Sequence, residues 1–212
     1  MPVFPLTDIY ALTDANLSLN RPTLEIVDAM LEAGIGIIQY REKHKSSGAM
    51  LEECLAIRER TQKAGCFFIV NDHVDIAMLC KADGVHVGQD DLPVAAIREL
   101  MGPDIVIGVS ASTQEEARKA IADGADYLGV GAVFSTNTKK DASFAGLELL
   151  RTLIATSPIP VAAIGGINET TLPEVIQAGA QCVCMVSAIT MANNIPEKVA
   201  RLRTIIHHAK QS

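Results

Sequence analysis

Tryptophan is absent from this chain of 212 residues. Long hydrophobic runs are missing too, and none reaches the roughly 18 residues that a membrane-spanning helix needs. The N-terminal "MPVFPLTDIY" has neither the basic start nor the apolar core of a secretory signal. These absences point to a cytoplasmic protein with no membrane partner. Basic residues are few, 18 Lys and Arg against 25 Asp and Glu, for a formal net charge of −7. That balance argues against a nonspecific grip on nucleic acid. The five Cys include no CxxC pair, which argues against a zinc site. Cys182 and Cys184 alternate within an apolar run and the others are scattered, so buried, reduced thiols are expected. No GxGxxG turn follows the first strand-like run, which weakens a doubly wound open sheet.

What the chain does have is a repeated alternation. Short apolar runs predict strands at 9–13, 36–41, 67–70, 84–87, 106–110, 127–133, 161–165 and 182–187. Amphipathic segments separate them. Leu24, Val27 and Leu31, and later Ala117 and Ile121, show the spacing of helices buried on one side. The stretches "LEAGIGII", "CKADGVHV", "IADGADYLGV" and "IQAGAQCVCM" each pass from helix through a glycine into a strand. Glycine adopts the left-handed helix-ending conformation at little cost. Eight such strand–helix units predict parallel strands joined by crossovers, a single (β/α)8 TIM barrel spanning residues 1–212.

In such barrels chemistry sits at the carboxyl ends of the strands. "FFIVND" ends strand three in Asn71 and Asp72, and "GVHVGQDD" carries strand four into Asp90 and Asp91. Neighbouring strands lie about 4.8 Å apart, so these carboxylates can meet on one divalent cation. Oxygen ligands favour Mg²⁺, which takes the rest of its shell from water and phosphate. The alternative is that Asp72 and Asp91 cap the following helices. Strand two ends "IIQYREK", where Gln39, Arg41 and Lys43 share one parity and can face one side. Ser110 ends strand five. The long stretch 134–146 after strand six carries Thr136, Thr138, Lys139 and Lys140, groups suited to phosphate. Strands seven and eight end in "AIGGI" and "MVSAI", a place where barrels often hold phosphate on backbone N–H groups. Two anion sites are therefore expected, one dependent on metal and one rich in backbone donors. That layout suits two phosphorylated substrates or one carrying two phosphates.

The motifs "YALTD", "QYREK", "VND", "GVHVGQDD", "GVSAST", "GADYLGVGAVFSTNTKKDA", "AIGGI" and "VSAI" occur in that order, one near each strand end. The ordered set resembles the thiamine-phosphate synthase family over nearly the whole chain. The resemblance implies a transferase that joins 4-amino-2-methyl-5-pyrimidinylmethyl diphosphate to 4-methyl-5-(2-phosphooxyethyl)thiazole. It implies that Gln39, Arg41 and Lys43 bind the pyrimidine diphosphate, with Asn71, Ser110 and Lys139 on its diphosphate. It assigns Asp72 and Asp91 to Mg²⁺, and Thr136, Thr138, Gly166, Val186 and Ser187 to the thiazole phosphate. Arg41, Lys139 and Ser110 are the expected catalytic groups. Two positions depart from the family pattern. Ser135 stands where a proline is common, which implies a less rigid lid. Tyr40 stands where an aliphatic residue is common, and its parity points it away from Gln39 into packing.

The chemistry agrees with that assignment. Diphosphate leaves a benzylic-type carbon into which the 4-amino group can push electrons, so a short-lived pyrimidine cation is expected. The thiazole nitrogen already carries its lone pair, so no general base is needed. Charge stabilisation on the leaving group and close placement of the two reactants are needed instead. His73 and His86 are accordingly expected to be structural. Rival readings are a thiazole tautomerase-like barrel and a noncatalytic sensor of phosphorylated ligands. The retained Asp72, Asp91 and Lys139 argue against the former, and the lack of room for a regulatory domain argues against the latter. The expected partners are two small phosphorylated molecules, with homo-oligomerisation left open.

Overall fold

The computed structural model describes residues 3–5, 7–135 and 145–211. Eight parallel strands close into a barrel in sequence order. They are β1 (Ile9–Leu12), β2 (Ile37–Tyr40), β3 (Phe67–Asn71), β4 (Gly84–Val87), β5 (Val106–Ala111), β6 (Tyr127–Val130), β7 (Val161–Ile164) and β8 (Cys182–Met185). The surrounding helices are α1 (Thr23–Glu32), α2 (Ser47–Ala64), α3 (Val74–Cys80), α4 (Val94–Met101), α5 (Gln114–Ala122) and α6 (Gly146–Thr156). They continue with α7 (Leu172–Gln177), the single turn α8 (Ser187–Thr190) and α9 (Ile195–Ala209). The eighth unit thus holds two helices where a strict alternation predicts one. No helix among the described residues is long and apolar enough to cross a membrane.

The period of two along each strand sorts side chains into two layers. Ile38, Tyr40, Phe68, Val70, Ile107, Leu128 and Val183 point outward against the helices. Tyr10, Ile37, Ile69, Val106, Tyr127, Cys182 and Cys184 point inward and fill the barrel. Phe4 plugs its lower end, stacked on Tyr127 with ring centroids 4.0 Å apart. All five thiols are free and buried, as their apolar settings predicted. Burial pushes Cys66 and Cys182 up to about 12.

Three Arg–Asp clamps tie the lower rim. Asp83, ahead of β4, accepts from Arg58 of α2 at 2.7 Å and from the backbone N–H of Phe68 at 2.8 Å. Asp126, ahead of β6, accepts from Arg98 of α4 and the N–H of Ile107, both at 2.7 Å. Asp8 accepts from Arg203 of α9 at 3.1 Å and from the N–H of Ile9 at 2.8 Å. Each carboxylate satisfies a strand-end amide that the sheet leaves without a partner.

Some boundaries shift from the sequence expectation. β6 stops at Val130, and β2 stops at Tyr40, one residue short of Arg41. Helices α1, α5 and α7 do lead through left-handed Gly34, Gly124 and Gly179. In "CKADGVHV", however, Lys81 takes the left-handed turn, at φ 54°. Gly84 serves a different need: a Cβ there would lie 2.8 Å from the Val106 carbonyl oxygen across the sheet.

Candidate active site

The carboxyl ends of the strands gather the residues singled out above. Gln39 is the inward residue near the end of β2, buried and 2.5 Å from the Tyr10 hydroxyl. Arg41 follows one step beyond the strand with the same parity. Its guanidinium donates to Asp14 at 2.8 Å, an ion pair whose two side chains are 14% and 11% exposed. Asp14 is itself placed by capping the short turn Ala15–Leu17 through the Asn16 N–H. The "REK" segment is held from below by Glu42, whose carboxylate accepts the backbone N–H groups of Lys43 and His44 at 2.8 and 3.0 Å. Tyr40 points outward as its parity predicts, and its hydroxyl donates to Glu53 at 2.7 Å. Lys45 donates to the same carboxylate at 2.7 Å, locking this loop against α2.

Lys43 reaches across to β3, where its ammonium pairs with Asp72. Asp72 occupies the left-handed region at φ 61°, unusual for a residue with a side chain. Its backbone N–H donates to the His86 carbonyl at 2.8 Å, which fixes the turn to β4. Asn71 is the last residue of β3, in register with His86. Past β4, one Asp91 carboxylate oxygen accepts the Gly88 N–H at 2.7 Å. Gln89 crosses to β5 and donates to the Ser110 carbonyl at 2.7 Å.

Helix capping accounts for neither carboxylate. His73 and Pro93 hold the N-cap positions of α3 and α4, and neither makes a capping side-chain bond. Asp72 and Asp91 offer hard oxygen donors at adjacent strand ends, and in this structure each faces an electropositive partner. That donor set fits Mg²⁺, with water and phosphate oxygens completing the shell.

The far side of the rim is built from backbone. Gly165 and Gly166 both have positive φ, 98° and 68°, and both lie close under the neighbouring chain. A Cβ on Gly166 would come within 2.7 Å of Phe134 and of the Ser135 carbonyl. The Gly166 carbonyl is held by the Thr171 hydroxyl at 3.0 Å. Val186 precedes α8, and Ser187 is that helix's first residue. The Ala132 carbonyl accepts the returning chain at Ala145 at 2.9 Å. Thr136, Thr138, Lys139 and Lys140 lie outside the described residues.

Inside the barrel the structure adds Tyr10 and Tyr127, which sequence reasoning passed over, and joins them to His86, expected to be structural, and to Ser110. His86 bridges Ser110 Oγ, at 2.9 Å from Nε2, and the Tyr127 hydroxyl, at 2.8 Å from Nδ1. Tyr127 meets the Tyr10 hydroxyl at 2.9 Å. Desolvation by burial holds both phenols well above the usual tyrosine range, so both stay protonated. Space for these rings comes from glycines: a Cβ on Gly129 would lie 2.8 Å from the His86 ring. The inward parity of His86, two residues after Gly84, was the available signal. Asp14 was signalled only as the last letter of "YALTD".

Known proteins resemble this chain in sequence and in fold. A thiamine-phosphate synthase of Lawsonia intracellularis is 52% identical over 200 residues, covering 94% of this chain and 92% of that protein. A thiamine-phosphate synthase of Caldicellulosiruptor saccharolyticus is 46% identical over 213 residues, covering 100% of this chain and 96% of its own. The solved structure of a thiamine phosphate pyrophosphorylase from Pyrococcus furiosus superposes with a TM-score of 0.87 at 37% identity, covering 95% and 96% of the two chains. Residues 9–189, from the first strand to the turn after the last, match the family model for thiamine monophosphate synthase, and the chain belongs to that family.

Proposed function

We propose that the chain makes thiamine phosphate by joining 4-amino-2-methyl-5-pyrimidinylmethyl diphosphate to 4-methyl-5-(2-phosphooxyethyl)thiazole, releasing diphosphate. The observation that carries this reading is the rim from β2 to β5. An amide (Gln39), two cations (Arg41, Lys43), two carboxylates (Asp72, Asp91) and a hydroxyl (Ser110) are all seated at its carboxyl ends. The glycine-rich turn after β7 and the start of α8 lie beyond it, suited to a second phosphate.

In this reading Gln39 faces the pyrimidine. Arg41, Lys43, Asn71, Ser110 and Lys139 bind the diphosphate. Thr136, Thr138, Gly166, Val186 and Ser187 take the thiazole phosphate. Asp72 and Asp91 would hold Mg²⁺, which when bound supplies charge neutralisation on the diphosphate oxygens. The C–O bond to diphosphate breaks first, and its electron pair leaves with the diphosphate. The thiazole nitrogen then gives its lone pair to the methylene carbon, forming the C–N bond. Donors aimed at the developing charge lower the barrier, and fixed placement of both reactants limits loss of the cation to water. The reading extends to a cytoplasmic setting and to freedom from nucleic-acid partners.

The test is to mix both substrates with Mg²⁺ and protein and to follow thiamine phosphate by mass. Metal-dependent product supports the reading. A folded protein that makes none overturns it.

A further inference from the structure

The polar chain inside the barrel has a direction. Gln39 Nε2 donates to the Tyr10 hydroxyl at 2.5 Å, and Gln39 Oε1 is buried with no partner among the described residues. An amide nitrogen can only donate. Tyr10 then sends its single proton to Tyr127, 2.9 Å away, the other hydrogen-bond partner its hydroxyl has among the described residues. Tyr127 in turn sends its proton to His86 Nδ1 at 2.8 Å. In a neutral imidazole the remaining proton sits on Nε2, and it is donated to Ser110 Oγ at 2.9 Å. The Ser110 hydroxyl is left with its own proton for another acceptor. Reversing the Gln39 amide would reverse every link, leaving Ser110 able only to accept. Mixed arrangements place two donors or two acceptors face to face in a dry interior.

We propose that Tyr10, Tyr127 and His86 are positioning residues that couple the hydrogen-bonding polarity of Gln39 to that of Ser110, so that the site presents an acceptor at Gln39 Oε1 and a donor at Ser110 together. The proposal deepens the synthase reading and rests on it for the identity of the ligand. The 4-aminopyrimidine diphosphate carries the complementary pair: amino hydrogens on its ring edge and anionic oxygens on its tail. A ring edge offering only acceptors is rejected, because accepting it at Gln39 turns Ser110 away from the diphosphate. Both phenols stay protonated in their buried setting, which each link of the chain requires.

The first measurement needs no substrate, so it stands apart from the synthase reading. Long-range ¹⁵N–¹H correlation of the imidazoles is recorded at mildly alkaline pH, with the His86 signals assigned by their loss in His86→Gln. A neutral ring protonated on Nε2 is expected. Protonation on Nδ1 overturns the proposal. Tyr127→Phe removes the donor to Nδ1 and should give a mixture of tautomers. Tyr10→Phe cuts the chain one link earlier and frees the Tyr127 hydroxyl to accept from Nδ1 as well as donate to it. It should also give a mixture, whereas an unchanged tautomer there removes Tyr10 and Gln39 from the coupling. An unchanged tautomer in Tyr127→Phe overturns the coupling. The second measurement is calorimetric binding of the aminopyrimidine diphosphate with Mg²⁺ and no thiazole, beside its 4-methoxy analogue, whose ring edge has no donor. Wild type should favour the amino compound, and Tyr127→Phe should narrow that preference by about tenfold, the scale of one lost hydrogen bond. Equal preference in both proteins overturns the specificity claim. If neither diphosphate binds wild type while the tautomer is as expected, the synthase reading fails and only the coupling survives.

Discussion

The ring of Tyr127 lies directly over Gly108, so closely that a Cβ on that glycine would sit 2.1 Å from the ring carbon Cζ. Gly108 faces inward on β5, where every larger residue would occupy the space of the phenol. Gly108→Ala should therefore push Tyr127 off His86 and Tyr10. Overpacking of this kind costs about 1–3 kcal/mol. For a domain of this size that is a fall of about 2–4 °C in Tm per kcal/mol. Calorimetric melting and the coupling assay should both show a loss. Normal melting with normal turnover contradicts the packing described for the barrel interior.

Arg41 is aimed by Asp14, so Asp14→Asn should leave the guanidinium in place of a fixed donor with a wandering one. The Asn side chain can keep the capping bond to the Asn16 N–H. The expected result is a several-fold rise in KM for the pyrimidine diphosphate with little change in KM for the thiazole phosphate. A fall in the first KM would show that Asp14 competes with the diphosphate for Arg41.

Asp91→Ala and Lys139→Ala probe the two sources of charge on the leaving group. Asp91→Ala should cut turnover by about 100-fold or more while the barrel melts normally. Lys139→Ala should raise the barrier by about 2.7–4 kcal/mol. Turnover by Asp91→Ala at the wild-type rate, insensitive to EDTA, removes that carboxylate from the metal site. Weakened thiazole binding with unchanged turnover in Lys139→Ala would move the lysine to the second anion site.

Alkaline pH should weaken the fold. Burial raises Cys66 and Cys182 from an ordinary 9.0 to about 12. In the unfolded chain these thiols ionise first, so the folded state holds more protons between those values. The stability they contribute is complete below pH 9.0, declines above it, and is gone past about 12. The slope is about 1.4 kcal/mol per pH unit for each thiol. Urea midpoints measured from neutral pH upward should fall in that window. In the Cys66→Ala, Cys182→Ala double variant the fall should be shallower, and an identical slope contradicts the assignment.

Much of this was legible in the chain because a barrel strand writes its geometry as alternation. Gln39 and Arg41 could be placed on one face, and Tyr40 on the other, by parity alone. Strand-end carboxylates were legible as a pair, although nothing local excluded helix capping. That exclusion needed the observation that His73 and Pro93 occupy the cap positions. The interior chain was not legible, because Tyr10 and Tyr127 meet only once the barrel has closed, 117 residues apart in sequence. The part played by Gly84 was hidden for the same reason. Its glycine is required by a carbonyl on the next strand, and a pattern read along one strand carries no record of its neighbour.

The Arg203–Asp8 clamp joins the last long helix to the first strand with the same chemistry that Arg58–Asp83 and Arg98–Asp126 use within the ring. Parallel pairing of β1 with β8 continues the sheet across that junction, Tyr10 opposite Cys184. The seam is thus stitched like any other join, by backbone and by side chain, and the covalent order of the units carries no special weight there. A circular permutant opened at a lower-rim loop elsewhere, with its old ends linked, should inherit the same ring and the same upper rim.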